Sequence, residues 1–422
     1  MKKESIVIVG GGFAGVNLAK ELADHKQYHI TLVDKNNYNF FTPLIYQVST
    51  GFLDPSSITY PYRNLFRGKE NIRFRLGELQ EIVPKENKIV LNNGSLSYDH
   101  LVLAYGTKTN FYGNEQIEKH AIPMKTLEDA LEMRNVLLQR LEKASRISDS
   151  SERLPYLTMV VAGGGPTGVE ISGIFAELRN NTLRKEFPEL AKSGARIYLI
   201  NSPGELLSPM SKKSQEYTLK ALQKMGVEVL LNTRVTNFDG ERVDLNNGKH
   251  IYSKNLIWAT GVVGRKIKGI SDDLFARGNR LKVNAFNQLE GHENIYAIGD
   301  ACFQTCDGHF ENGHPQLAQV AIQQGVQLAK NFKNRSINKP MKPFEYKDKG
   351  SMAIIGSSQA VTDLPKMHFQ GLTAWILWAA VHLFSLINYR NRWRTFYNWV
   401  IEYLTKNQDL RLILRPDEET VD

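Results

Sequence analysis

A chain of 422 residues, 42% hydrophobic and 23% charged, has room for two or three domains and a sizeable core. Its only cysteines, Cys302 and Cys306, exclude a disulfide-stapled scaffold and point to a reducing compartment. A formal net charge of +9 attracts anions, whether nucleotides, nucleic acid or acidic lipid, and charge alone does not choose among them.

At the N-terminus two lysines precede an apolar run, the outline of a signal peptide. Glu4 sits among them, however, and the run Ile6 to Val9 stops at glycines. A buried parallel strand entering a glycine loop is the expected reading, with no signal peptide. Gly10-Gly-Gly12-Phe13-Ala14-Gly15 follows, and a helix is predicted from Val16 to Ala23. Gly10 permits a tight turn, Gly12 lets the backbone approach a pyrophosphate, and Gly15 lets helix and strand pack closely. The diphosphate then meets free N–H groups and the positive end of the helix dipole. A second strand, His29 to Val33, ends at Asp34 with Lys35 after it. That is about 20 residues beyond the glycines, where an acid accepts hydrogen bonds from a ribose.

The stretch Ser148 to Arg153 reads as an exposed loop, and Leu157 to Ala162 as a second apolar strand. Gly163-Gly-Gly165-Pro166-Thr167-Gly168 follows, then a helix predicted from Val169 to Leu178. The next strand, Arg196 to Ile200, ends at Asn201 instead of an acid. Asparagine can hydrogen-bond a 2′-hydroxyl but repels a 2′-phosphate less than a carboxylate would, so the choice between NADH and NADPH stays open. Two nucleotide sites in one chain suggest a flavin held permanently and a nicotinamide that exchanges. Two later strands support this: Asn255 to Gly261, ending in Ala259, Thr260 and Gly261, and Asn294 to Asp300, ending in Gly299 and Asp300. Asp300 at a strand end is placed to bind the ribityl chain of FAD; a helix cap or turn aspartate is the alternative.

With these segments the chain resembles the two-dinucleotide-binding-domain flavoproteins, and within them the type II NADH:quinone oxidoreductases. The other matching segments are Asn39-Phe-Phe-Thr42-Pro-Leu-Ile-Tyr-Gln47, Ala104-Tyr-Gly106, Val169-Glu170, Trp258-Ala-Thr-Gly261 and Ala318-Gln-Val-Ala-Ile-Gln-Gln-Gly325. The resemblance implies tightly but non-covalently bound FAD, NADH as co-substrate and a membrane quinone as acceptor, in a ping-pong reaction. It adds Phe13, Ala14, Lys35, Thr42, Gln47, Ala104, Gly106 and Ala318 to the cofactor contacts. It implies that Glu170 faces the flavin–nicotinamide region and couples protons or electrons; read in the first helical turn, its alternative role is to complement the helix dipole. It places Gln319 at the quinone. Gln323 shares a helix face with Gln319 if Pro315 starts a helix. Lys366 matches a lysine near flavin and quinone, or else is simply solvated. The two thiols do not form the close pair that disulfide reductases of this superfamily use, and they match no sulfide:quinone reductase spacing. No metal site is expected, since His309 and His314 show no ligand spacing.

From Phe369 to Tyr389 no Lys, Arg, Asp or Glu occurs, but Gln370, Thr373, His382, Ser385 and Asn388 dilute the apolar character. Beyond it, Trp393, Phe396, Tyr397, Val400 and Leu404 fall on one helical stripe, with Arg394, Asn398 and Glu402 on other faces. An interfacial membrane anchor is expected, with a helical pair buried between subunits and a membrane span as rivals. The expected fold class is α/β, with two nested Rossmann-like dinucleotide-binding domains plus a C-terminal region with amphipathic membrane-binding helices. The FAD domain is expected at 1–112 and 261–337, the NAD(P)H domain at 113–260, and membrane attachment and dimerisation at 338–422. The expected protein is a homodimeric, peripheral NADH:quinone oxidoreductase at the cytoplasmic face of the cell membrane, pumping no protons and binding no nucleic acid. A sulfide:quinone reductase-like enzyme and a redox-sensing flavoprotein of the apoptosis-inducing-factor kind are the alternatives.

Overall fold

The computed structural model describes residues 3–191, 193–405 and 411–413. Its chain divides into two compact units. In the first (residues 1–40, 59–108 and 262–349), the strand Glu4–Val9 buries Ile6, Val7, Ile8 and Val9 on both faces. Such a run suits the centre of a parallel sheet covered on two sides. It pairs in parallel with Tyr28–Asp34 on one side and His100–Leu103 on the other; Ile72–Leu76 and Ile295–Ala297 complete a five-stranded sheet. The helix Phe13–Glu21 leaves the sheet at the glycine loop. The helix Ala318–Arg335 crosses it closely because Gly325 has no side chain: a Cβ there would lie 2.5 Å from the Ala14 carbonyl oxygen.

The second unit (41–58, 109–261 and the residues from Gly350 on) repeats the plan. Met159–Ala162 lies in parallel between Ile197–Ile200 and Asn255–Trp258, flanked by Glu228–Leu230 and Ile122–Pro123. Its loop helix, Pro166–Glu177, packs against the strand Ser351–Gly356 through Gly173, where a Cβ would meet the Ile355 carbonyl at 1.7 Å. The units change over at 108/109, 261/262 and 349/350, where 112/113, 260/261 and 337/338 were expected. Residues 41–58 cluster with the second unit, and the C-terminal region divides at Lys349/Gly350.

Several local expectations need correction. The Ser148 to Arg153 stretch is not a loop: Asp149 accepts hydrogen bonds from the Ser151 and Glu152 N–H groups and so caps a helix, Ser150–Leu157. The loop helix of the second unit begins at Pro166 instead of Val169, since proline is preorganised for the first helical position. Glu170 therefore sits beyond the first turn, where dipole complementation has faded. The helix near Pro315 begins only at Ala318, although Gln319 and Gln323 do share it.

The C-terminal sheet, Ser351–Gly356, Gln359–Leu364 and Met367–Gly371, is antiparallel and leads into the helices Leu372–Ser385 and Tyr389–Thr405. The first has 14 residues, about 21 Å of helix against a hydrocarbon core of about 30 Å. Among the described residues no helix is long and apolar enough to cross a membrane. The second has an inverted pattern. Asn391 and Thr395 are buried, and Arg394 donates to Ser56 Oγ at 2.7 Å. Trp393 and Tyr397 are instead 70% and 63% exposed, with Phe396 and Val400 beside them. The stripe's Leu404 and the opposed Glu402 lie outside the described side chains.

Candidate active site

The first glycine loop shows a division of labour. Gly10 has φ +106°, and a Cβ on it would lie 2.3 Å from the Ala104 carbonyl oxygen, so Ala104 and the adjoining Gly106 are brought to the loop. A Cβ on Gly15 would lie 1.9 Å from the Gly10 carbonyl oxygen. At Gly12 a Cβ would meet nothing within 4 Å, so this glycine keeps the approach to the helix start open. No side chain caps that helix. This fits a diphosphate. Phe13 and Ala14 form the first turn. Asp34 Oδ2 accepts from the Gly11 N–H at 2.6 Å and Oδ1 from Asn36 N–H at 2.8 Å. Burial pushes this carboxyl above its ordinary value, and those N–H groups partly offset the effect. The Tyr62 hydroxyl also donates to Oδ2 at 3.4 Å, so Oδ1 is the oxygen that retains a lone pair for a ribose hydroxyl. Lys35 is exposed beside it.

The second loop reproduces this almost atom for atom. Gly163 has φ +113° and abuts the Ala259 carbonyl with Thr260 alongside; Gly168 backs onto the Gly163 carbonyl; Gly165 faces open space. Pro166 and Thr167 form the first turn of an uncapped helix. Gly261, φ +71°, turns the chain against Tyr112. Asn201 takes the place of Asp34: its Oδ1 accepts from the Gly164 N–H at 2.8 Å. Its Nδ2 donates to the carbonyls of Glu205 at 2.7 Å and Pro203 at 3.3 Å. The asparagine therefore performs the acid's structural task and spends its amide protons on the following turn. Asn201→Asp keeps the first bond but turns an oxygen toward two carbonyls. The expected result is a loss of about 1–3 kcal/mol in stability, outweighing any gain in NADH selectivity, as read by thermal unfolding and by the NADH/NADPH ratio of kcat/KM.

Glu170 is 8% exposed in the second unit. Burial holds its carboxyl well above the usual carboxylate range, against the opposing effect of the Ile354 N–H that it accepts. It therefore holds its proton more tightly than an ordinary carboxyl does. The fully buried Tyr46 hydroxyl is also driven upward, first by burial and then by Glu170. Gln47 donates to the Tyr46 hydroxyl at 3.2 Å and accepts from Trp399 Nε1 at 2.8 Å. The segment begun by Thr42 is thus latched to the last helix. Gln319 and Gln323 lie in the first unit and staple the chain beyond their helix: Gln319 Oε1 accepts from Lys349 N–H, and Gln323 both accepts from and donates to the backbone of Lys347. Ala318 opens that helix. Lys366 is exposed at the hairpin tip between Gln359–Leu364 and Met367–Gly371. Asp300 accepts from Thr107 Oγ1 at 3.2 Å, directly after Gly299, whose φ is +70°.

Residues 4–325 match the pyridine nucleotide-disulphide oxidoreductase family, and residues 349–407 match the NDH2 C-terminal domain. The type II NADH:quinone oxidoreductases NdhA and Ndh of Mycobacterium tuberculosis are 34% and 32% identical to the chain. The similarity covers 95% and 96% of it and 87% and 89% of their own lengths. The chain belongs to the type II NADH:quinone oxidoreductases. The NDH2 of Plasmodium falciparum in complex with NADH has the same fold, with a TM-score of 0.90 over 98% of this chain and 100% of that one, at 24% identity.

Membership in a disulphide oxidoreductase family does not bring a redox-active cysteine pair. Both thiols are free. Cys302 is buried, which pushes its thiol up to about 11, and Cys306 is exposed. A thiol held there is almost wholly protonated at neutral pH and is a poor nucleophile. His314, which had offered no ligand spacing, is buried against Asp307 at 2.9 Å and locks the loop before the Ala318–Arg335 helix. Among the described residues no group of three or more His, Cys, Asp and Glu is arranged to hold a metal. An apolar cavity of about 100 Å³ between Leu137, Leu141, Phe175 and Phe187 offers little to a nicotinamide or a quinone carbonyl.

Sequence reasoning missed the middle glycines. Gly11 is required because a Cβ would lie 2.2 Å from the Tyr62 hydroxyl, which donates to the Gly11 carbonyl at 2.9 Å. Gly164 is required by Asn201, 2.6 Å from where a Cβ would stand. A third consecutive glycine in both loops was the available signal.

Proposed function

We infer that this chain is an FAD-dependent NADH:quinone oxidoreductase that holds FAD on the Gly10 loop, takes NADH on the Gly163 loop and works on a membrane surface. The observation that carries the reading is the pair of uncapped helix starts, each opened by a glycine, Gly12 and Gly165, that faces free space. The chemistry supplied by bound FAD is two-electron transfer between nicotinamide and quinone. Asp34 and Asp300 orient the first nucleotide, and Asn201 shapes the turn that receives the second. The net reaction, NADH + H⁺ + quinone → NAD⁺ + quinol, consumes one proton, and the buried Glu170 carboxyl binds its proton more tightly than an ordinary carboxyl. Gln319 and Gln323 set the path of the chain at 347–349, and Gln319 faces the quinone.

Stopped-flow mixing tests this directly. NADH is expected to bleach the yellow protein, NADPH to do so more slowly, and a soluble quinone to restore the colour. A flavin that stays reduced after quinone addition would sink the reading and favour a redox-sensing flavoprotein. Electron transfer is uncoupled in this account, so the purified protein in sealed vesicles is expected to build no proton gradient.

Membrane attachment rests on the outward aromatic stripe of Tyr389–Thr405, flanked by Arg390, Arg392 and Arg394. Exposed tryptophan and tyrosine over arginine suit the membrane–water interface. The protein sits at the cytoplasmic face as a homodimer. Trp393→Glu with Tyr397→Glu is expected to weaken binding to anionic vesicles by roughly 100-fold, measured by co-sedimentation, while light scattering still shows a dimer. Unchanged sedimentation with a dissociated dimer would assign the stripe to the subunit interface.

A further inference from the structure

The residues that hold the Gly299–Asp300 turn are not the glutamines that its neighbouring helix displays outward. Gln324, 1% exposed, reaches from the helix Ala318–Arg335 to accept the Gly299 N–H at 2.7 Å. Its Nε2 donates to the buried Cys302 Sγ at 3.5 Å, a sulfur that also accepts from Asn287 at 3.4 Å. From the other side Gln316 Nε2 donates to the Asp300 carbonyl at 3.1 Å. The turn is thus gripped at the N–H of one residue and the C=O of the next. The segment bearing Gln316 is fixed by Arg280, which donates to the carbonyls of Cys302 and His314 at 2.7 and 2.9 Å.

The grip sits where the turn has least freedom. Gly299 adopts a left-handed conformation, and a Cβ on it would press on the Cβ atoms of Ala14 and Ala321 at 3.2 and 3.5 Å. Ala14 belongs to the first turn of the helix Phe13–Glu21, so the turn is wedged between two helices. Packing sets its depth, but packing of small residues does not fix its rotation. A directional bond to the Gly299 N–H does, and the direction of the next side chain, Asp300, follows from it.

We propose that Gln324 is a positioning residue for flavin binding: its amide fixes the Gly299 peptide and thereby aims the Asp300 carboxylate at the FAD. This rests on the reading of Asp300 as flavin-facing. Gln324→Met keeps the volume and removes both bonds; Gln324→Glu keeps an acceptor for the Gly299 N–H.

The test is the rate of FAD release from the holoenzyme, followed by flavin fluorescence after dilution, together with the visible flavin spectrum and the KM for NADH. Gln324→Met is expected to release FAD on the order of 10- to 100-fold faster and to shift the visible band. Its KM for NADH should be unchanged, and Gln324→Glu should restore release to within a few-fold of wild type. Asp300→Ala serves as reference. If it releases FAD no faster than wild type, the flavin-facing reading fails and the proposal falls with it. If Asp300→Ala is fast while Gln324→Met matches wild type, or if both Gln324 variants are equally fast, the proposal alone is overturned. Should Gln324→Met not fold, Gln324→Glu decides: slow release supports the role, and release as fast as Asp300→Ala refutes it.

Discussion

Gly168→Ala is expected to give a yellow protein that NADH barely reduces, and Gly15→Ala a protein that has lost its flavin. The two substitutions are chemically identical and sit at equivalent positions of equivalent loops. In each, the added Cβ falls 1.8–1.9 Å from the carbonyl oxygen of the loop's own first glycine. No side chain can rotate away, because the obstacle is backbone. The loop must therefore shift by more than about 1 Å, and a misplacement of that size costs about 100-fold in a positioned reaction. For Gly168→Ala that loss is expected in kcat/KM for NADH, with FAD content near one per chain. For Gly15→Ala it is expected in FAD affinity, with the apoprotein still showing its far-ultraviolet circular dichroism. If Gly168→Ala emptied the flavin and Gly15→Ala only raised the KM for NADH, the assignment of the two loops would have to be exchanged.

The glycine loops were legible because their requirements are local. A tight turn, an open approach and a close helix–strand contact each ask for glycine at a fixed offset, and the strands on either side are continuous apolar runs. Asn201 was legible as a departure but not in its consequence: only the fold shows its amide accepting from Gly164 and donating to the turn after it. The start of Glu170's helix was misread although Pro166 marks it, and only that misplacement kept helix-dipole complementation open as an alternative role for the carboxyl. The Ser150–Leu157 helix was hidden by its Ser, Glu and Pro content, while the capping Asp149 was passed over. Gln319 and Gln323 stand out in the linear pattern, yet their bonds run to residues 347–349. Gln324 and Gln316 carry no such mark. What distinguishes them is proximity to a turn contributed by another strand, which spacing along one helix does not encode.

Glu170→Gln is expected to keep its FAD and its reduction by NADH to within a few-fold, and to lose about 100-fold in quinone turnover. The wild-type carboxyl is buried, accepts one backbone N–H, and lies where Tyr46 feels its charge. Its proton is held well above the usual carboxylate range, so turnover should fall on the alkaline side as the proton is lost. The glutamine carries no transferable proton, so its residual rate should lack that alkaline limb. Stability gives an independent reading of the same carboxyl. A group that binds its proton more tightly folded than unfolded contributes fully below its unfolded value of 4.5, and the contribution is lost as pH rises through the folded value. Wild type should therefore weaken relative to Glu170→Gln by up to about 1.4 kcal/mol per pH unit within that window, and denaturant titrations at several pH values would show the two curves diverging upward from pH 4.5. Parallel stability curves with unaltered quinone turnover would remove Glu170 from the proton path and leave it as a buried hydrogen-bond partner of the Ile354 backbone.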